Sequence, residues 1–244
     1  MQKAAQHSVG FLYPGYSAED DYPRLEGILR EAGADVALPL VHTDIGEDAH
    51  RVDALLEMGS GDRLADGMTA LSGRGARTVV WACTSASFVF GWEGAHEQVR
   101  TLSAVGGLPA SSTSFAFVHA VRALGLQRVA IAATYPTDVA EHFAAFLKAA
   151  GIEVVSLRGS GVITAAEVGT WGRSEVLEMA TSGDHAAAEA VLLPDTALHS
   201  AEHLPVLEAV LGKPVLTANQ VSVWEGLRLA ELSVRTEALG ALFR

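Results

Sequence analysis

The chain has 244 residues, 49% of them apolar and 19% charged, and a formal net charge of −12. That length and composition exclude a disordered chain and suit one large or two small domains with a proper core. The acidic balance argues against nucleic acid as a partner, because phosphate contacts need clustered Lys and Arg.

Val9–Tyr13 reads as a strand, followed by a polar turn and a helix over Tyr22–Ala32 that Gly33 closes. A short strand is expected at Asp35–Leu40. Helices are expected at Glu47–Gly59 and Arg63–Ser72, separated by the Gly59-Ser60-Gly61 break. Thr78-Val79-Val80-Trp81 has the composition of a strand buried on both faces. It ends at Cys83, the only cysteine, and the polar pair Thr84-Ser85, which suits a helix start. A thiol at that point sits where helix N–H groups lower its pKa, although a buried structural cysteine is the plain alternative. A helix around His96–Val105, a strand near Pro109–Ser112 and a helix over Phe115–Leu124 follow.

After Gly125 the pattern begins again. Arg128–Thr134 reads as a strand, Val139–Ala150 as an amphipathic helix, and Glu153–Leu157 as the next strand. ILREAGADV at Ile28–Val36 matches FLKAAGIEV at Phe146–Val154, and the Val79–Ala86 run aligns with Val191–Leu198. Two copies of a βαβαβ-type unit imply an α/β fold with parallel sheets flanked by helices. Ligands bind outside the carboxyl ends of such strands, so two facing copies share one cleft. The alignment pairs Cys83 with Asp195 across it.

Three further features bear on setting. One cysteine means no internal disulfide and fits a reducing cytoplasm. The N-terminal MQKAAQHS lacks the apolar core of a signal peptide. The longest uncharged stretch, Thr78–Trp92, is too short to span a bilayer. A cytoplasmic protein without membrane partners is the expectation. His199 and His203 are spaced to share a helix face, but no HExxH pattern accompanies them, so solvated histidines are expected and not a metal site. Gly159-Ser160-Gly161 follows a strand, but Thr164 stands where a dinucleotide loop needs its third glycine. That stretch reads as a turn and a candidate lid over the cleft.

The Cys83-Thr84-Ser85 strand end, the Thr134-Tyr135 turn, the segment Leu193–Gln220 and the doubled architecture resemble the aspartate/glutamate racemase superfamily. The likeness covers nearly the whole chain and is closest to the branch of maleate cis-trans isomerases and arylmalonate decarboxylases. It implies two pseudo-twofold domains, residues 1–112 with 219–244 and residues 113–218, with the last helix packed back on the first domain. It also implies a cofactor-independent enzyme acting on a small carboxylate in the interdomain cleft, and it leaves a homo-oligomer open.

By that resemblance Cys83 is the family's first cysteine, and Thr84, Ser85 and Tyr135 hold a carboxylate or an enediolate. Asp195 stands in place of the second cysteine, which disfavours a symmetrical two-thiol racemase. Isomerase-type relatives often carry Asn after the first strand; here the run is Pro14-Gly15-Tyr16-Ser17, so a second substrate carboxylate is held differently or is absent. Thr196 is suited to join Thr84 and Ser85 as a donor.

Cys83 has three available roles: nucleophile on an activated double bond, acid toward an enediolate, or base at an alpha carbon. Asp195 is the opposing acid or base, or else a cap for the following helix. The favoured reading is isomerisation of a small unsaturated dicarboxylate, with Cys83 as nucleophile and Asp195 handling the proton. The alternatives are a malonate-type decarboxylase, a racemase, and a carboxylate-binding protein without chemistry.

Overall fold

The computed structural model describes residues 7–15 and 17–244. Residues 1–6, which hold most of the N-terminal stretch read for a leader, and Tyr16 of the Pro14–Ser17 run lie outside the described residues.

The first sheet contains β1 (His7–Pro14), β2 (Val36–Ala37), β3 (Leu40–Thr43), β4 (Thr78–Trp81) and β5 (Ala110–Ser112), all parallel. β1 is central, with β4 and then β5 along one edge and β2 and β3 in succession along the other. The strand expected at Asp35–Leu40 is therefore two pieces, broken at Leu38-Pro39. Proline has no N–H to give to a ladder, and here Pro39 contributes its carbonyl, which accepts the N–H of Phe11 at 2.9 Å.

The second sheet contains β6 (Arg128–Ala133), β7 (Glu153–Gly159), β8 (Ala190–Leu193) and β9 (Val215–Thr217), again all parallel, in the order β7-β6-β8-β9. With β2 and β3 counted as one broken strand, each sheet places its first strand in the middle, its second on one side, and its third and fourth on the other. The internal repeat seen in the sequence is thus a repeat of topology. β4 and β8 are buried along their whole length, as their unbroken apolar runs require.

The helices pack across the two sheets. Helix Ala218–Leu229 lies on the first sheet, and Gly226 makes the approach close: a Cβ there would stand 2.2 Å from Val9 Cγ1. Helix Thr113–Ala123 crosses it, with Thr113 Oγ1 2.6 Å from Ser222 Oγ. One turn further along Thr113–Ala123, the Phe117 ring meets the second half at Phe143, 5.4 Å away. A core cluster running from Val9 and Val80 to Ile131 and Phe143 joins the halves.

Two helix expectations are corrected. The helix expected at Glu47–Gly59 begins only at Val52, and residues 44–51 form an extended loop. Long-range bonds hold that loop: the His50 N–H donates to the Ile163 carbonyl at 2.6 Å, and the Asp48 carboxylate accepts from Ala165 and Ala166. His199 and His203 do not share a helix face, because the 3₁₀ turn starts at Ala201 and the α-helix at Leu204. His199 instead contacts the Asp20 carboxylate at 2.7 Å. Among the described residues no helix is long and apolar enough to cross a membrane.

Candidate active site

The carboxyl ends of β1, β4 and β8 converge on one small cavity of about 20 Å³, room for about one water molecule. Cys83 and Ser85 enter it just past β4, and Asp195, Thr196 and Ala197 just past β8. Tyr13 and Pro14 come from the end of β1. Ile45, Leu55 and Met58 form an apolar wall, and Asp48, His50 and Ala165 close the remaining side. The repeat therefore brings Cys83 and Asp195 to one cavity from matched positions.

Cys83 is buried. The Ala86 N–H points at its Sγ from 3.5 Å, and Ser85 Oγ lies 3.7 Å away. Burial nevertheless pushes the thiol up to about 11, with the nearby charge of Asp195 acting in the same direction. The expected lowering by a helix start does not occur. The helix after Cys83 is only the four residues Ser85–Phe88, too short to develop a useful dipole, and desolvation wins.

Thr84 does not cap that helix with its side chain. Its Oγ1 is buried and has no hydrogen-bond partner. Thr84 does not line the cavity, and its side chain lies within reach of the Tyr135 phenol. Tyr135 does not line the cavity; its hydroxyl donates to the Pro194 carbonyl at 2.8 Å, immediately before Asp195. Burial raises its phenol well above the ordinary value. Gly15 also stands outside the lining, with φ +64, and a Cβ there would meet Ile45 Cδ1 at 2.6 Å. Its missing side chain is what lets Ile45 reach the cavity.

Asp195 is 5% exposed and well supplied with donors. Its Oδ1 accepts the Ala197 N–H at 2.9 Å, and its Oδ2 accepts a short hydrogen bond from Thr134 Oγ1. The carboxylate thus closes a local turn and does not cap the helix that starts further on. The Thr196 carbonyl accepts from Tyr13 Oη at 2.9 Å and from Asn219 Nδ2 at 3.1 Å, so the loop after β8 is tied to β1 and to helix Ala218–Leu229.

Sequence reasoning missed Tyr13, Asp48 and His50. Tyr13 looks like any core aromatic at a strand end. Asp48 and His50 lie in a stretch whose spacing imitates a helix, and only their long-range bonds distinguish them. His50 Nδ1 lies 2.9 Å from the Val162 carbonyl, and its ring meets Tyr135 edge-on at 4.8 Å. Its Nε2 faces Asp195 Oδ2 at 3.9 Å. The Gly159–Gly161 turn holds no ligand with its backbone; its N–H groups, with that of Val162, go to the carbonyls of Ala133, Tyr135 and Thr134.

The family model for arylmalonate decarboxylase matches residues 58–243. The chain belongs to the arylmalonate decarboxylase family. It is 26% identical to the arylmalonate decarboxylase of Bordetella bronchiseptica over 237 residues, 94% of this chain and 93% of that one. It is 31% identical to a maleate isomerase of Nocardia farcinica over 175 residues, 68% of each chain. A crystal structure of arylmalonate decarboxylase superposes with a TM-score of 0.74 at 26% identity, covering 97% of this chain and 98% of that one. The chain is accordingly an enzyme of the Asp/Glu racemase-like superfamily, in the part of it that holds isomerases and lyases. The two-sheet α/β architecture is that of the arylmalonate decarboxylase family.

Proposed function

We propose that this enzyme removes one carboxyl group from a small malonate-type acid bearing an apolar substituent, with Cys83 delivering the proton. The observation that carries this reading is the division of the cavity around the Cys83 thiol. One wall is Ile45, Leu55 and Met58, while Ser85 Oγ lies 3.7 Å from the thiol sulfur and the Thr196 loop stands opposite. One carboxylate is held by the Ser85 hydroxyl beside the thiol. The other lies against the apolar wall, poorly hydrated, and is lost as neutral carbon dioxide.

The step balances simply. The carbon–carboxylate bond breaks, its electron pair passes into an enediolate stabilised at the held carboxylate, and carbon dioxide leaves. The Cys83 S–H proton moves to the alpha carbon, and the resulting thiolate regains a proton from solvent. A thiol raised to about 11 stays protonated at neutral pH, as a proton donor must. Thiolate addition to a double bond would start from about one molecule in ten thousand at pH 7.

A second reading is isomerisation of an unsaturated dicarboxylate, favoured by the 31% identity to a maleate isomerase. It requires a clamp for a second carboxylate, and no Lys or Arg lines the cavity. Proton NMR in D₂O with a 2-aryl-2-methylmalonate, maleate and aspartate separates these readings. Loss of one carboxyl group with one deuterium gained supports the proposal. Fumarate formed from maleate, with the malonate untouched, supports the second reading and overturns the first.

A further inference from the structure

A second, larger cavity opens between helices Gly61–Ser72 and Gly91–Gly106, and it shares no lining residue with the cavity around Cys83. Its volume is about 240 Å³. An apolar cavity of about 150 Å³ takes up benzene, so this one has room for a fused bicyclic ring. Leu64, Phe90 and Leu102 give it apolar walls, and Gly59, Gly61 and Gly94 bring bare backbone to its lining.

The polar side chains of the lining are Glu97, Gln98 and Thr101, and among the described residues no Lys or Arg joins them. Glu97 is exposed and paired with Arg100 at 2.6 Å. An acid of the kind proposed for the active site therefore finds no cation here. Gln98 is different, being only 8% exposed. Its Nε2 donates to the carbonyls of Gly59 and Ala86, at 2.9 Å each. Its Oε1 is buried and has no hydrogen-bond partner. Turning the amide over would set that oxygen against two carbonyls, so the chain cannot relieve it. A carboxamide oxygen is answered only by a donor.

We propose that this cavity is an effector site for a neutral aromatic molecule of about bicyclic size that carries one N–H or O–H donor. The ring lies against Leu64, Phe90 and Leu102, and Gln98 Oε1 accepts from the donor. Occupancy reaches Cys83 through two contacts. Gln98 Nε2 holds the Ala86 carbonyl, and the Ala86 N–H faces Cys83 Sγ at 3.5 Å. An amide whose oxygen accepts a hydrogen bond donates more strongly from its nitrogen, so the ligand fastens helix Ser85–Phe88 in place beside the thiol. This inference holds whichever acid the active site takes.

Indole is the probe, and benzofuran, of the same shape without the N–H, is its control. Titrated into the full chain, indole should shift the backbone amide resonances of Gly59, Gly61 and Gly94 in ¹⁵N-correlated NMR. It should bind at least about tenfold more tightly than benzofuran. At about ten times its Kd, indole should slow iodoacetamide labelling of Cys83, the only cysteine, by at least about threefold. Ala65→Phe puts a ring into the cavity from helix Gly61–Ser72 and should abolish both the glycine shifts and the labelling effect. Equal affinity for the two ligands, no shift at the three glycines, or labelling that ignores occupancy overturns the proposal. Protection of Cys83 that persists in Ala65→Phe also overturns it, since indole would then occupy the active-site cavity. None of these readouts needs turnover, so their failure is distinct from a failed decarboxylation assay.

Discussion

Asp48 Oδ1 and Oδ2 accept the backbone N–H groups of Ala165 and Ala166 at 2.7 and 3.0 Å, joining a loop of the first half to the short helix Ala165–Val168 of the second. With the two bonds from His50, they hold the stretch 160–171 over the cavity. About 20 Å³ of free space is far less than a substituted acid occupies, and movement of this stretch on substrate entry is the expectation that Asp48→Ala tests.

Asp48→Ala removes both charge-assisted bonds and leaves two N–H groups without a chain partner. Each such bond contributes roughly 1.5–3 kcal/mol. Amide hydrogen exchange in residues 162–168 should accelerate by at least about tenfold, and kcat/KM should fall by a similar factor as closure is lost. Unchanged exchange in that segment would show that it is held by packing alone.

The raised Cys83 thiol has a direct consequence for labelling. Its alkylation by iodoacetamide should keep rising with pH up to about 11. At pH 8 it should run roughly a hundredfold slower than an exposed cysteine. A rate that levels off near pH 8.5 would contradict the buried, uncompensated thiol and favour the nucleophile.

Gly59 lies beneath the helix after Cys83. A Cβ at this position would stand 2.2 Å from the Ala86 carbonyl oxygen and 2.8 Å from Gln98 Nε2. Gln98 also donates to the Gly59 and Ala86 carbonyls at 2.9 Å, so the overlap cannot be relieved by one side chain turning away. Gly59→Ala should destabilise by about 1–3 kcal/mol. It should lower Tm by roughly 3–10 °C and displace Ala86, whose N–H faces the Cys83 sulfur. Thermal unfolding checks the first effect and the Cys83 labelling rate the second.

Glu225 is fully buried in helix Ala218–Leu229. Burial opposes its ionisation, but hydrogen bonds from Arg228 and His119 outweigh that and hold it at about 2. A carboxylate depressed below its unfolded value near 4.3 stabilises the fold above that pH. The contribution is lost as pH falls from about 4.5 through about 2. Glu225→Gln should cost about 3 kcal/mol at pH 7 and much less near pH 2, measured by urea unfolding. An equal cost at both pH values would mean the side chain matters only for its shape.

Much of this was legible before any coordinates. The alignment of Val79–Ala86 with Val191–Leu198 carries the doubled topology and the pairing of Cys83 with Asp195, because a strand end repeated in sequence is repeated in space. The gaps have a common cause. Residues 47–51 have the local spacing of a helix, whereas their conformation is set by bonds to residues 162–166, more than a hundred positions away. His50 was invisible for the same reason. A helix start after Cys83 predicts an acidic thiol, but the number of turns in that helix and the depth of burial are properties of the packed chain.

The central claim is that Cys83 is a proton donor in a decarboxylation. It is tested most directly by following a 2-aryl-2-methylmalonate in D₂O by proton NMR, with wild type beside Cys83→Ala. The alpha carbon of that substrate bears no hydrogen, so any deuterium there is the delivered proton. The account predicts a monoacid with one alpha deuterium from wild type and a rate at least about a thousandfold lower from the variant. A Cys83→Ala enzyme that decarboxylates at the wild-type rate would contradict it.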